Sequence, residues 1–345
     1  MAFGRDESLR SPGTGPSLGQ PEAVMTRSSE PLLEIAELNV HFPLAGRIER
    51  VRAVDGVSLE LFRGETLALV GESGCGKSSL ARAVVGLLAP TAGQIRFAGK
   101  KLEPLGARSR RPLCQKLQMV FQDPDASLDP RRPIGDAVGE AVELHTSLSR
   151  EERRARVLEL FESVGLDRAL EHRYPHELSG GQKQRVCIAR ALAPGPELLV
   201  CDEAVSALDV SIQAQILNLL AELKERLGLS YLFITHDLRV VRHVADRVAV
   251  MYLGQIVETA RTSDLFESPR HPYTRALLDA VPRINAGAQA APLLRGEVPS
   301  AANPPSGCRF NPRCPQVMDR CRRDAPKLYE LGTRTSRCFL SEGPS

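Results

Sequence analysis

The apolar run Glu65-Thr66-Leu67-Ala68-Leu69-Val70 leads straight into Gly71-Glu72-Ser73-Gly74-Cys75-Gly76-Lys77-Ser78. A run this short and this apolar reads as a strand buried on both faces. Lys77 to Leu88 then places Leu80, Val84 and Leu87/Leu88 at helical spacing. A buried strand joined to a helix by a glycine loop can pack only as an α/β unit, with the helix lying on a sheet. The loop matches G-x-x-x-x-G-K-[ST], and the strand–loop–helix context makes that match specific. Glycines let backbone N–H groups turn inward, and the helix start adds the positive end of its dipole. Such a loop cradles phosphates. Lys77 is expected to reach the β- and γ-phosphates of a nucleotide, and the hydroxyl of Ser78, beside Ser79, to ligate Mg²⁺.

The rest of the chain repeats the alternation. Glu197–Cys201 and Tyr231–Ile234 are apolar strands, with a helix over Ile212–Leu227 between them that stops at Gly228. Thr91-Ala92-Gly93 reads as a turn before a short strand at Gln94–Phe97, and Val248–Tyr252 and Gln255–Glu258 read as strands turning at Gly254. Alternating strands and helices imply a mainly parallel sheet. From about Pro130 to Ala193 the pattern turns helical: Ser149 to Glu152 fits a capping box, and Ser179 can cap a helix from Gly180 to Ala193.

Three further points carry chemistry. Asp202 ends a buried strand, where a carboxylate can hold Mg²⁺, and Glu203 follows it, placed to polarise an attacking water. An isolated Asp-Glu pair is usually a solvated strand end; beside a phosphate loop it reads as catalytic. His236 follows another apolar strand in the same direction, although a lone histidine is more often structural. Gln122, after Met119-Val120-Phe121, could ligate Mg²⁺ or position water.

Composition sets limits. A net charge of +3, no Trp and 4% aromatic residues argue against nucleic acid as a partner. No stretch approaches the roughly eighteen apolar residues of a membrane span. The first thirty residues, rich in Gly, Pro and Ser, are expected to be a disordered leader without an export signal, and Met25 is an alternative start. A chain without an export signal should keep its eight cysteines reduced or metal-bound. Four of these, Cys308, Cys314, Cys321 and Cys338, lie in a Pro-rich tail with five, six and sixteen residues between them. None of the gaps is the tight C-x₂-C of zinc ribbons, so spacing leaves a metal site and free thiols open. Cys75, Cys114, Cys187 and Cys201 read as packing residues, with Cys75 inside the phosphate loop open to alkylation that would block ATP.

These pieces, in this order, resemble the ATP-binding subunits of ABC transporters, from about Leu32 to Cys338. By that resemblance Gly71–Ser78 is Walker A, Gln122 the Q-loop and Leu178-Ser179-Gly180-Gly181-Gln182 the signature. Asp202 and Glu203 close Walker B, Asp209 ends the D-loop Ser206-Ala207-Leu208-Asp209, and His236 is the switch histidine. The implied fold is an α/β P-loop NTPase domain over 31–260, a RecA-like core with a helical subdomain at about 130–193. A small irregular Cys-containing extension follows over 261–345. The resemblance also implies a head-to-tail dimer, in which Ser179, Gly180, Gly181 and Gln182 contact ATP held by the partner's Walker A. Phe42 is the candidate for stacking on adenine, with a place in the core as the alternative.

Arg173-Tyr174-Pro175-His176-Glu177, His271-Pro272-Tyr273-Thr274-Arg275 and Asn303 to Pro315 are similar to the oligopeptide and dipeptide importers within the family. The resemblance implies a peripheral ATPase on the cytoplasmic face of a bacterial inner membrane. Its expected partners are a second ATPase subunit, two transmembrane permease subunits and, indirectly, an extracytoplasmic substrate-binding protein. The segment near Gln122 to Glu140 would meet the permease loops. It further implies a [4Fe–4S] cluster on the four tail cysteines, with Zn²⁺ the alternative. Nickel and glutathione importers share these features, and a non-transport ABC ATPase in an enzyme complex is the remaining alternative.

Overall fold

The structure is a computed structural model that describes residues 30–44, 46, 50–102, 107–280 and 296–342, with backbone alone at 107–111. The expected leader over 1–30 lies, but for Glu30, outside the described residues. Twelve strands are described: β1 Leu33–Pro43, β2 Arg50–Leu61, β3 Thr66–Val70, β4 Ala92–Phe97, β5 Lys100–Lys101 and β6 Leu117–Val120; then β7 Leu198–Asp202, β8 Ser230–Thr235, β9 Arg247–Tyr252, β10 Gln255–Arg261, β11 Tyr329–Leu331 and β12 Arg334–Ser336.

They form two sheets. The larger has the order β11-β12-β10-β9-β3-β8-β7-β6. Its middle, from β9 to β6, is parallel, and β10 and β12 add antiparallel edges. The second sheet, β2-β1-β4-β5, is antiparallel. Sequence patterning foresees the parallel centre and not the second sheet.

Side-chain alternation sorts the core. Leu67 and Leu69 of β3 face an apolar cluster shared with β1, β2 and the helix Lys77–Val84, while Ala68 and Val70 face the opposite cluster with Tyr252, Tyr273 and Phe310. In the same way Leu198 and Val200 of β7 join the first cluster, and Leu199 and Cys201 join a third built with the helical segment. Strands covered on both faces have no polar side, which is why β3, β7 and β8 are continuous apolar runs.

The helical segment contains Ile134–His145, Arg150–Ser163 and Gly180–Leu192. Both expected caps are present: Ser149 with Glu152, and Ser179 with Gln182. The helix after the phosphate loop is shorter than its apolar spacing suggests. It runs Lys77–Val84, Gly86 follows at φ 75°, and Leu87 is 62% exposed instead of packing on the core.

The C-terminal extension is less irregular than its prolines suggest. It contributes the helix Pro272–Asp279 and the β11–β12 hairpin, and β12 pairs with β10 through Glu258–Ser336 and Thr259–Thr335. It is therefore bound into the main sheet.

Candidate functional site

Four parallel strands end on one edge of the large sheet. Registers Val70–Thr235, Asp202–Ile234 and Val120–Cys201 bring the C-terminal ends of β3, β8, β7 and β6 level. The residues that follow each strand therefore meet: Gly71 after β3, Glu203 after β7, His236 after β8 and Gln122 after β6. Ligands of open α/β sheets bind at this edge.

The phosphate loop needs its glycines. Gly76 sits at φ 107°, and a Cβ there would stand 1.8 Å from the carbonyl oxygen of Ala53. Gly76 is also the N-cap of the helix Lys77–Val84, and no side chain caps that helix. Its first N–H groups are left for a ligand. Lys77 is buried, and its Nζ donates to the carbonyl oxygens of Gly71 and Glu72 at 2.8 and 3.0 Å. The ammonium thus lies folded across the loop it serves. Ser73 and Gly74 are exposed at the loop tip, and Ser79 is half-buried. Cys75, only 3% exposed, has its thiol pushed up by burial, so it is not the open alkylation target its position in the loop suggests.

The acids divide by environment. Ser78 Oγ donates to Asp202 Oδ1 at 2.9 Å. Asp202 is buried at the strand end, and desolvation raises its pKa above the usual carboxylate value despite that hydrogen bond. A hydroxyl and a desolvated carboxylate in contact are hard oxygen donors of the kind Mg²⁺ takes. Glu203 has φ 48°, an uncommon left-handed conformation for a non-glycine residue, and its amide donates to the carbonyl oxygen of Ile234 at 2.9 Å. Its carboxylate is bracketed. Gln122 Nε2 donates to Oε2 at 3.1 Å, and His236 Nδ1 stands 3.3 Å from Oε1.

The remaining expected residues lie elsewhere. Ser179 and Gly180 are exposed at a helix start, while Gly181 is buried, where a Cβ would stand 2.6 Å from Cγ2 of Ile212. Gln182 Oε1 accepts from the Ser179 amide at 2.9 Å, so its side chain is engaged within the cap. Asp209 is exposed at the start of the helix Val210–Leu227. Phe42, at the end of β1, is 37% exposed and so outside the core.

The tail cysteines share one pocket with His271, Phe310 and Phe339. Burial pushes the Cys308 thiol up to about 11 and raises those of Cys314 and Cys338. Four thiols around one pocket suit a thiolate-bound centre in donor chemistry. Among the described residues, however, no group of three or more His, Cys, Asp or Glu is placed to hold a metal ion.

Two contacts escaped sequence reasoning. Arg313 forks onto the carboxylate of Glu72, and the Glu72 amide donates to Tyr273 Oη at 2.9 Å. Arg313 and Glu72 stand 241 residues apart, and neither periodicity nor a local motif joins them.

Comparison with known proteins adds three findings. The family model described as "ABC transporter" matches residues 54–206, and that described as "Oligopeptide/dipeptide transporter, C-terminal region" matches 257–321. A Brucella abortus protein, named provisionally for peptide-import ATP binding, is 56% identical over 301 residues, covering 87% of this chain and 90% of its own length. The dipeptide transport ATP-binding protein DppF of Escherichia coli is 47% identical over 315 residues, covering 90% of this chain and 94% of its own. Among solved structures, cbiO1 of Clostridium perfringens is similar with a TM-score of 0.61 at 30% identity, covering 69% of this chain and 91% of its own. The ATP-binding cassette MJ0796, dimeric with ADP and Pi, matches at TM-score 0.61 and 28% identity, over 67% of this chain and 98% of its own.

Proposed function

Because the chain belongs to the ABC transporter family, we propose that it is the ATP-hydrolysing subunit of an importer for oligopeptides or dipeptides, working with separate permease subunits. The observation that carries this reading is the convergence of Lys77, Ser78, Asp202, Glu203, Gln122 and His236 on one sheet edge.

Each residue has a role that follows from its place. Lys77 and the loop amides bind the β- and γ-phosphates. Ser78 and Asp202 would hold Mg²⁺, which when bound neutralises charge on the phosphate oxygens. Glu203 orients a water and takes its proton as that water attacks the γ-phosphate. Gln122 and His236 fix the Glu203 carboxylate from both sides. Phe42 is free to stack on adenine. Ser179 and the backbone from Gly180 present a second helix start to ATP held by a partner subunit, with Asp209 near the same seam. Among the described residues no helix is long and apolar enough to cross a membrane, so the translocation path falls to the permease subunits. The subunit therefore docks on them from the cytoplasmic side through its helical segment, which couples ATP-driven closure to transport.

Glu203→Gln tests the site directly. The variant should bind ATP, accumulate as an ATP-bound dimer on size exclusion, and hydrolyse roughly a hundredfold or more slowly. Turnover near that of the wild type removes Glu203 from the role of base.

The tail thiols form a second part of the proposal. Cys308, Cys314, Cys321 and Cys338 would hold a [4Fe–4S] cluster, which supplies a structural or electron-accepting centre when bound. The shared pocket and the family resemblance support this; the absence of single-ion geometry among the described residues makes Zn²⁺ the weaker alternative. Protein purified without oxygen should contain iron and acid-labile sulfide. Iron-free protein with four titratable tail thiols defeats the assignment.

A further inference from the structure

The C-terminal extension reaches the phosphate loop through one side chain. Arg313 lies between Cys308 and Cys314, with its side chain 4% exposed. Its guanidinium donates from Nη1 to Oε2 of Glu72 at 2.7 Å and from Nη2 to Oε1 at 2.9 Å, the two-pronged geometry that binds a carboxylate most firmly. Tyr273 Oη accepts from the amide of Glu72, and its ring is packed against Tyr252 and Phe310. Neighbouring Arg309 pairs with Asp55 of β2 and with the carbonyl of Leu253. Segment 309–313 is thus pinned to the nucleotide-binding part at both ends.

Glu72 is an odd residue for its position. The loop Gly71–Ser78 assembles N–H groups and an ammonium to receive a polyanion, yet its second residue, Glu72, adds a carboxylate to the same loop. An uncompensated charge there opposes triphosphate binding. At several ångströms, with partial screening, such a charge changes affinity by roughly tenfold. Arg313 removes that charge and fixes the carboxylate in place.

We propose that Arg313 is a positioning residue for ATP. It neutralises Glu72 and holds the first turn of the phosphate loop, so the extension is part of the nucleotide site. The proposal rests on the ATPase reading above. The role assigned to Arg313 needs no contact with ATP or the attacking water; it acts through Glu72. The energetic logic is specific: the harm in losing Arg313 comes from the carboxylate it leaves unpaired.

The test uses the full chain, with ATP affinity read by a fluorescent ATP analogue and steady-state ATPase in parallel. Arg313→Ala should weaken ATP binding and raise KM by roughly tenfold, with kcat changed less than about threefold. The double variant Glu72→Gln/Arg313→Ala should recover most of the lost affinity, because the repelling charge is gone. Arg313→Lys, which keeps the charge and loses the fork, should lose less affinity than Arg313→Ala. Wild-type affinity in Arg313→Ala overturns the proposal, and so does a double variant that binds no better than Arg313→Ala. Should Arg313→Ala not fold, Arg313→Gln, which keeps most of the side-chain volume and removes the charge, takes its place, and wild-type affinity in it overturns the proposal. A wild-type chain that binds no ATP defeats the ATPase reading itself, whereas tight wild-type binding with these variants unaffected defeats only the role of Arg313.

Discussion

Two helices of this protein begin at glycine-rich turns, and they begin in opposite ways. The helix Lys77–Val84 starts from Gly76, at φ 107°, with no side chain capping it. The helix Gly180–Leu192 starts from Ser179 inside a complete capping box, in which Ser179 Oγ accepts from the Gln182 amide and Gln182 Oε1 accepts from the Ser179 amide. Every helix start leaves about four N–H groups without an internal partner. The first helix has no side-chain cap, and in the proposed site a phosphate completes it. The second satisfies two donors by itself and is finished without any ligand. One, in the proposed function, is built around ATP that this chain would hold. The other keeps its shape while waiting for ATP that a partner subunit would bring. A head-to-tail dimer needs both kinds of helix start on the same chain.

The sharpest way to break that comparison is to give the first helix a side chain at its start. Gly76→Ala adds a Cβ that would lie 1.8 Å from the Ala53 carbonyl oxygen, at a φ that L-residues avoid. The neighbour is backbone, so it cannot swing aside. The left-handed strain alone costs about 1–3 kcal/mol, before the clash is counted. The loop should shift and ATP affinity fall by roughly a hundredfold or more, measured by equilibrium binding, with thermal stability lowered too. A Gly76→Ala variant that binds ATP normally would mean that the loop does not hold this shape when it receives the nucleotide.

How much of this was legible beforehand depends on whether the signal is local. The strands β3, β7 and β8 were readable because burial on both faces strips them of polar residues. Once they are parallel, the convergence of Lys77, Asp202, Glu203 and His236 follows from strand direction alone. The second sheet was not readable. Strand β1 carries register shifts around Ala36–Leu38, where Glu37 has φ 48°, and these break its period of two. Apolar spacing points Leu87 toward the core, but Gly86 ends the helix before it. Arg313 left no trace in the sequence pattern, because its partner is fixed by tertiary packing and lies 241 residues away. The capping boxes at Ser149 and Ser179 were readable, since every partner lies within three residues.

A gentler pair of substitutions sharpens the comparison from the other side. Ser179 has two separable duties: it caps its own helix, and in the proposed dimer its hydroxyl faces the partner's ATP. Ser179→Ala removes both, at a cost of about 1 kcal/mol in stability for the lost cap. Ser179→Gly also removes the hydroxyl, yet glycine is a tolerated N-cap and costs only a few tenths of a kcal/mol. The two variants should therefore differ slightly in thermal unfolding and agree in function. Both should bind ATP to the monomer with wild-type affinity, since the phosphate loop is untouched. Both should hydrolyse it far more slowly and fail to form the ATP-bound dimer that Glu203→Gln accumulates. If Ser179→Gly keeps wild-type ATPase activity while Ser179→Ala loses it in step with stability, then Ser179 is a cap and nothing more. The second helix start would then owe its sequence to folding alone, and the shared site would have to be built from other residues.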